Sequence, residues 1–111
     1  MPVDPQARLR ERRATLEARL RGLTASHAEI VASSASSNAD DEHDPEGSTI
    51  AYDRAQIGSL IADAEREREE LDAALVRAAD GTYGVCERCG RPIPAARLEA
   101  RPAARTCVTC V

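Results

Sequence analysis

Aromatic residues are almost missing from this chain of 111 residues: it has no Phe, no Trp and only two Tyr. A large globular core is therefore excluded, and Ala and charged residues dominate, which suits long helices in one domain. No stretch approaches the roughly 20 apolar residues of a membrane span. Met1-Pro2-Val3-Asp4 opens no signal peptide, because no apolar run of signal length follows, so a cytoplasmic chain is expected. Lys is absent as well: all 15 basic residues are Arg, a pattern of GC-rich coding rather than of function. Cysteine is confined to four positions, all in the last quarter.

The net charge of −4 disfavours generic nucleic-acid binding, but it conceals a pattern. Arg8–Arg21 holds six Arg and two Glu, for +4. Asp40–Glu46 holds five acids and no base, for −5. Asp63–Asp80 holds seven acids and three Arg, for −4, and Cys86–Val111 holds five Arg and two Glu, for +3.

Heptad spacing organises the first eighty residues. Leu9, Leu16, Leu23 and Ile30 recur every seven positions, with Arg13, Leu20 and His27 at the other seam position. After a small, polar stretch the period resumes in Ile50, Ile57, Ala64, Leu71 and Ala78, with Ile61, Arg68 and Leu75 between them. Ser48 or Thr49 is a candidate N-cap and Gly81 a helix stop. The spacing predicts helices over about 6–32 and 49–80, joined by a tip loop over 33–48. Two such helices on one loop form an antiparallel hairpin, and the +4 arm facing the −4 arm favours pairing within one chain. A monomer is expected; the competing arrangement pairs the same seam between two chains. His27 on the seam is most simply a tolerated polar residue, and His43 in the acidic loop a solvated one.

What remains is Cys86-Glu87-Arg88-Cys89, seventeen residues, then Cys107-Val108-Thr109-Cys110. Each Cys-x-x-Cys can grip one metal from a tight turn, and two together complete a tetrahedron of thiolates at about 2.3 Å from zinc. Two disulfides would suit a secreted chain, and a redox pair would come singly, beside a βαβ pattern. Zinc is the reading that fits. Pro94 is placed to open a short helix through Arg97, Leu98 and Glu99, which Pro102 stops. Apart from the cysteines, almost nothing here is apolar beyond Ile93, Leu98 and Val108, so the metal must supply much of the folding free energy. The expected fold class is mainly α, an antiparallel coiled-coil helical hairpin over 1–80 with a small C-terminal four-cysteine zinc finger over 81–111.

Gly81-Thr82-Tyr83-Gly84-Val85-Cys86-Glu87-Arg88-Cys89-Gly90, then Ile93, Arg97-Leu98-Glu99-Ala100-Arg101-Pro102 and Cys107-Val108-Thr109-Cys110, resemble the DksA/TraR zinc-finger family. The likeness runs from about Ile50 to the end. It implies a transcription regulator that binds bacterial RNA polymerase and inserts its coiled-coil tip into the secondary channel to modulate initiation. The family's tip carries Asp-x-x-Asp-x-Ala. Asp53 and Ala55 match the second Asp and the Ala, whereas Ile50 stands at the first Asp, leaving Asp44 and Glu46 as the nearest upstream acids. The Arg-rich base, Arg88, Arg91, Arg97, Arg101 and Arg105, would then meet the acidic rim of the channel. The chain ends one residue after Cys110, where longer members carry a helix that helps form their alarmone site, so that response is not carried over.

Taken without the resemblance, an acidic run is ordinarily a solvated loop, or else a set of hard oxygen ligands for Mg²⁺, and its spacing is not that of an EF-hand. The other functional reading is an adaptor, its zinc finger and coil binding a different protein or nucleic acid. No nucleophile and base occur together outside the four thiols, so no enzyme is expected.

Overall fold

In the computed structural model, residues 4–37 and 45–110 are described, and side-chain surroundings are given for 4–33 and 49–110. The fold is mainly α: helix α1 spans Pro5–Ser37, α2 Pro45–Asp80 and α3 Ala95–Ala100. Among the described residues there is no strand, only a single antiparallel bridge between Val85 and Pro92. The chain divides into two compact units, Met1–Leu16 with Glu67–Val111, and Glu17–Arg66.

The first unit contains the ends of both long helices and the cysteine-rich segment. Leu9 and Leu16 of α1 and Leu71 and Ala74 of α2 form its buried helical stripe. Three of these four are seam positions, as the heptads require. Ala74 lies one position beside the seam, and its single methyl is fully covered. Arg12 pairs with Glu67 at 2.7 Å and Arg13 with Asp72 at 2.6 Å. Arg8, nearer the start of α1, lies beside Tyr83, which is past the end of α2. The helices therefore run antiparallel here. The head of Arg13 turns outward from the seam, as expected of a seam Arg, and finds a carboxylate there. Both pairs are half-exposed, so each is worth about 0.2–1 kcal/mol.

The start of α1 is well built. Pro5 takes the first helical position, where it lacks only an N–H that would have been unpaired. Asp4 caps it: its carboxylate accepts from the Gln6 N–H at 3.2 Å and its carbonyl from the Arg8 N–H at 3.1 Å. α2 ends in a left-handed turn. Gly81 has φ 87°, and the Thr82 N–H reaches back to the Arg77 carbonyl at 2.9 Å. This bond satisfies a carbonyl that the helix itself leaves open.

In the second unit Leu20 of α1 and Ala64 of α2 are buried, and Leu23, His27, Ile30, Ile50, Ile57 and Ile61 are partly covered. Asp63 and Arg66 pair along α2. Both helices extend beyond their expected bounds toward the connection: α1 continues from 32 to Ser37 and α2 begins at Pro45 rather than near Thr49. Ser33-Ser34-Ala35-Ser36-Ser37 contains no breaker, and an existing helix adds each further residue with one hydrogen bond and no new nucleation cost. Pro45 is pre-set for a first turn. Residues 38–44, including His43 and Asp44, lie outside the described residues.

Candidate metal centre

The cysteine-rich segment is shaped by backbone bonds before any metal is considered. The stretch from Gly84 to Ile93 folds back on itself: the Cys86 N–H donates to the Arg91 carbonyl at 2.9 Å and the Ile93 N–H to the Gly84 carbonyl at 2.7 Å. Gly90 closes the first knuckle with φ 74°, and its N–H reaches the Cys86 carbonyl at 3.0 Å. A side chain there would be strained in the left-handed region. The second knuckle is tied by the Cys110 N–H to the Cys107 carbonyl at 3.1 Å, and to the first by the Glu87 N–H to the Arg105 carbonyl at 2.9 Å. Between the knuckles lies α3, opened by Pro94 and ended at Arg101 before Pro102, as its prolines predict.

These turns gather all four thiols. The Sγ atoms of Cys86, Cys89, Cys107 and Cys110 lie within 4.8 Å of one another. Cys89 and Cys107 are 3.7 Å apart, and all four cysteines are free. A disulfide would need about 2.05 Å. Four sulfurs at about 2.3 Å from a central zinc are about 3.8 Å from each other, so the Cys89–Cys107 separation suits a tetrahedral ion. Cys86 and Cys107 are buried with Ile93, and Leu98 and Cys110 pack on them. The small core thus consists largely of ligand sulfur.

The cluster favours thiolate at Cys86 and shifts Cys107 in the same direction. Cys86 is held down at about 6, chiefly by the backbone N–H of Cys89 and then against the opposing effect of burial. Cys107 is lowered, first by the Thr109 hydroxyl, whose Oγ1 lies 3.1 Å from its Sγ, and then by the Thr109 N–H. Cys110 moves the other way, to about 12, because its thiol is engaged with the Cys107 sulfur and is desolvated besides. A zinc ion entering the cluster must therefore displace a proton from Cys110.

Residues 81–110 match the family described as the prokaryotic dksA/traR C4-type zinc finger. Over these residues the segment is similar to a DksA/TraR-type finger, and its four clustered cysteines suit zinc. Among similar proteins, general stress protein 16O of Bacillus subtilis is 44% identical over 73 residues, covering 65% of this chain and 44% of that protein. The RNA polymerase-binding transcription factor DksA of Caulobacter vibrioides is 54% identical over 43 residues, covering 36% of this chain and 30% of that one. The matched stretches thus span less than half the length of these curated relatives. Transcription factor DksA2 of Pseudomonas aeruginosa has the same fold, with a TM-score of 0.78 at 24% identity over 96% of this chain and 76% of that one.

The remaining residues singled out from the sequence are dispersed. Asp53 and Ala55 are exposed on α2, Ile50 is partly covered, as a seam residue should be, and Glu46 lies in the first turn of the same helix. Asp53 lies eight residues beyond Pro45. It is therefore not a first-turn residue, and it is too far in to gain from the helix N-terminus. Arg88, Arg91, Arg101 and Arg105 are exposed. Arg97 is half-buried and donates from Nε to the Thr106 carbonyl at 2.8 Å, so it helps to build the finger.

Sequence reading missed three contributors. Thr109 tunes Cys107 from the second variable position of its knuckle. Tyr83 donates its hydroxyl to the Pro102 carbonyl at 2.8 Å, and Arg77 reaches the Ala103 carbonyl at 3.3 Å. Tyr83 carried one available signal: it is one of only two aromatics in a chain with hardly any core, and it sits three residues before the first ligand.

Proposed function

We propose that this protein regulates transcription by binding bacterial RNA polymerase, its coiled-coil hairpin entering the secondary channel and its tip altering the lifetime of initiation complexes. The observation that carries the reading is that a DksA-type fold covers 96% of the chain and a DksA/TraR finger covers 81–110. A two-helix hairpin with so little core has few uses other than to present its far end and its faces to a partner.

Each part has a physical role in this reading. Cys86, Cys89, Cys107 and Cys110 are the four zinc ligands, and the ion holds the finger's fold; it takes no part in chemistry. The chain acts by binding and catalyses nothing. Arg88, Arg91, Arg101 and Arg105, exposed around the finger, meet acidic groups at the channel rim, whereas Arg97 is already committed to the finger's own backbone. Asp53 and Ala55 act at the tip, with Asp44 and Glu46 as the other acids. No helix among the described residues is long and apolar enough to cross a membrane, and the protein works as a cytoplasmic monomer.

Two measurements test this. Core RNA polymerase passed over the immobilised, zinc-loaded protein should be retained, and a known secondary-channel ligand should compete. Failure to retain polymerase, together with salt-sensitive retention of DNA, would instead favour a nucleic-acid adaptor. Asp53→Asn then separates binding from action. The variant should bind polymerase as the parent does but no longer shorten or lengthen initiation-complex lifetime. An unchanged lifetime effect would remove Asp53 from the mechanism and leave Asp44 and Glu46 to be tested.

A further inference from the structure

The stretch 102–106 returns the chain from α3 to the second knuckle. It has no regular secondary structure, yet four of its carbonyl groups are held from outside it. Tyr83 Oη donates to Pro102 at 2.8 Å, Arg77 Nη2 to Ala103 at 3.3 Å, the Glu87 N–H to Arg105 at 2.9 Å and Arg97 Nε to Thr106 at 2.8 Å. The next residue is the ligand Cys107. Glu87 and Arg97 belong to the finger. Tyr83 and Arg77 belong to the end of α2. Arg77 is in the last turn of that helix, and its own carbonyl accepts from the N–H groups of both Thr82 and Tyr83, at 2.9 and 3.1 Å. The side chain of Arg77 therefore holds the return stretch while its main chain holds the corner that carries Tyr83. Both contacts are half-buried, where a lost partner leaves a carbonyl poorly satisfied.

The geometry points to Arg77 and Tyr83 as positioning residues for the zinc site: they fix the return stretch, and through it Cys107 and Cys110, so that zinc binding and the C-terminal turn of α2 stabilise each other. Residues outside the ligand set that orient ligands commonly govern metal affinity. Linkage makes the effect reciprocal, because whatever the helix end adds to zinc affinity, zinc must add to the order of the helix end. This coupling involves the chain's own zinc and holds whatever protein the hairpin binds.

The test uses the full chain. Zinc affinity is measured by competition with a chromophoric chelator for the parent, Tyr83→Phe, Arg77→Met, Arg77→Lys and, as a control in the other compact unit, Arg66→Met. Losing one such bond should weaken zinc binding about threefold to tenfold in Tyr83→Phe and Arg77→Met. Arg77→Lys, which keeps a donor, should recover part of the loss, and Arg66→Met should change nothing. In the cobalt-loaded protein the two affected variants should also shift the visible d–d bands, a readout of thiolate geometry that a general loss of helix stability would not move. A second arm uses the unaltered protein and so decides even where a variant folds poorly. Amide exchange at Thr82 and Tyr83, whose N–H groups bond to Arg77, should be about tenfold or more faster without zinc than with it. Unchanged zinc affinity in both variants, or equal exchange of those two amides with and without zinc, overturns the proposal.

Discussion

The cysteine finger and the paired helices keep their shape by opposite means. In the helices, order comes from a repeated pattern: Leu9, Leu16, Leu20, Ala64 and Leu71 are covered because they recur at seam spacing, and any one could be replaced by a similar apolar residue. In the finger almost every contact is made once, by a named atom to a named atom, and the core is two ligand cysteines and one Ile. A periodic element degrades gradually when damaged, whereas a segment whose core is its metal site has no reserve.

That contrast predicts a hierarchy of damage. Its largest expected effect is the loss of one ligand. Cys89→Ser should abolish stoichiometric zinc, measured by elemental analysis, and disorder the chain from about Gly81 onward, while far-UV circular dichroism retains most of its helical signal. Structural zinc supplies on the order of 10 kcal/mol to such folds, which is more than this core could replace. If helix and finger melt together in the variant, the two regions are not as independent in their means of support as the contrast holds.

The next effect tests the helical side. Leu71→Ala removes a fully buried side chain and should cost about 2–5 kcal/mol in helix stability, read by urea unfolding at 222 nm. Zinc content should stay at one per chain. Tyr52→Ala on the same helix, where the ring is 68% exposed, should cost almost nothing in the same assay.

Acid should act on the finger selectively. Zinc needs its thiols deprotonated, so affinity must fall as pH falls. At neutral pH Cys86, held at about 6, is already largely thiolate, while Cys110, raised to about 12, still carries its proton. Binding at pH 7 therefore releases the Cys110 proton, and below about pH 6 Cys86 adds another. Apparent zinc affinity should decline with acidification throughout and more steeply below pH 6, as measured by chelator competition across pH. A slope that flattens there would contradict the thiolate assignment of Cys86.

The smallest effect belongs to the half-exposed ion pairs. Removing Arg13 or Asp72 should change helix stability by about 0.2–1 kcal/mol, and less at high salt. A double-mutant cycle in low and high salt measures the pair directly. A larger coupling would mean that the seam Arg is held more firmly than its exposure indicates.

Reading the residues in order was enough for the helical pair and for the metal. Heptad spacing is a local periodicity, and its seam positions are buried or partly covered wherever side chains are described. The paired Cys-x-x-Cys spacing is a local geometry too, and Pro94 and Pro102 bound α3 as their fixed φ angles demand. Helix ends were legible only where a residue forces them. Gly81 does so, whereas the Ser-rich stretch merely permits an end and in the event continues as helix to Ser37. α2 likewise begins earlier than expected, at Pro45, which leaves Asp53 eight residues into the helix. Tertiary structure alone decided which of the Arg residues of the finger stay exposed and which is drawn into the fold: Arg97, on α3, finds the Thr106 carbonyl within reach, and Arg91 is exposed. It also decided that Arg77 and Tyr83 hold the approach to Cys107. Spacing fixes what neighbouring residues can do together, but a carbonyl in an irregular stretch takes whatever donor the fold brings to it, and no periodicity encodes a hydrogen bond between residues 19 and 26 positions apart.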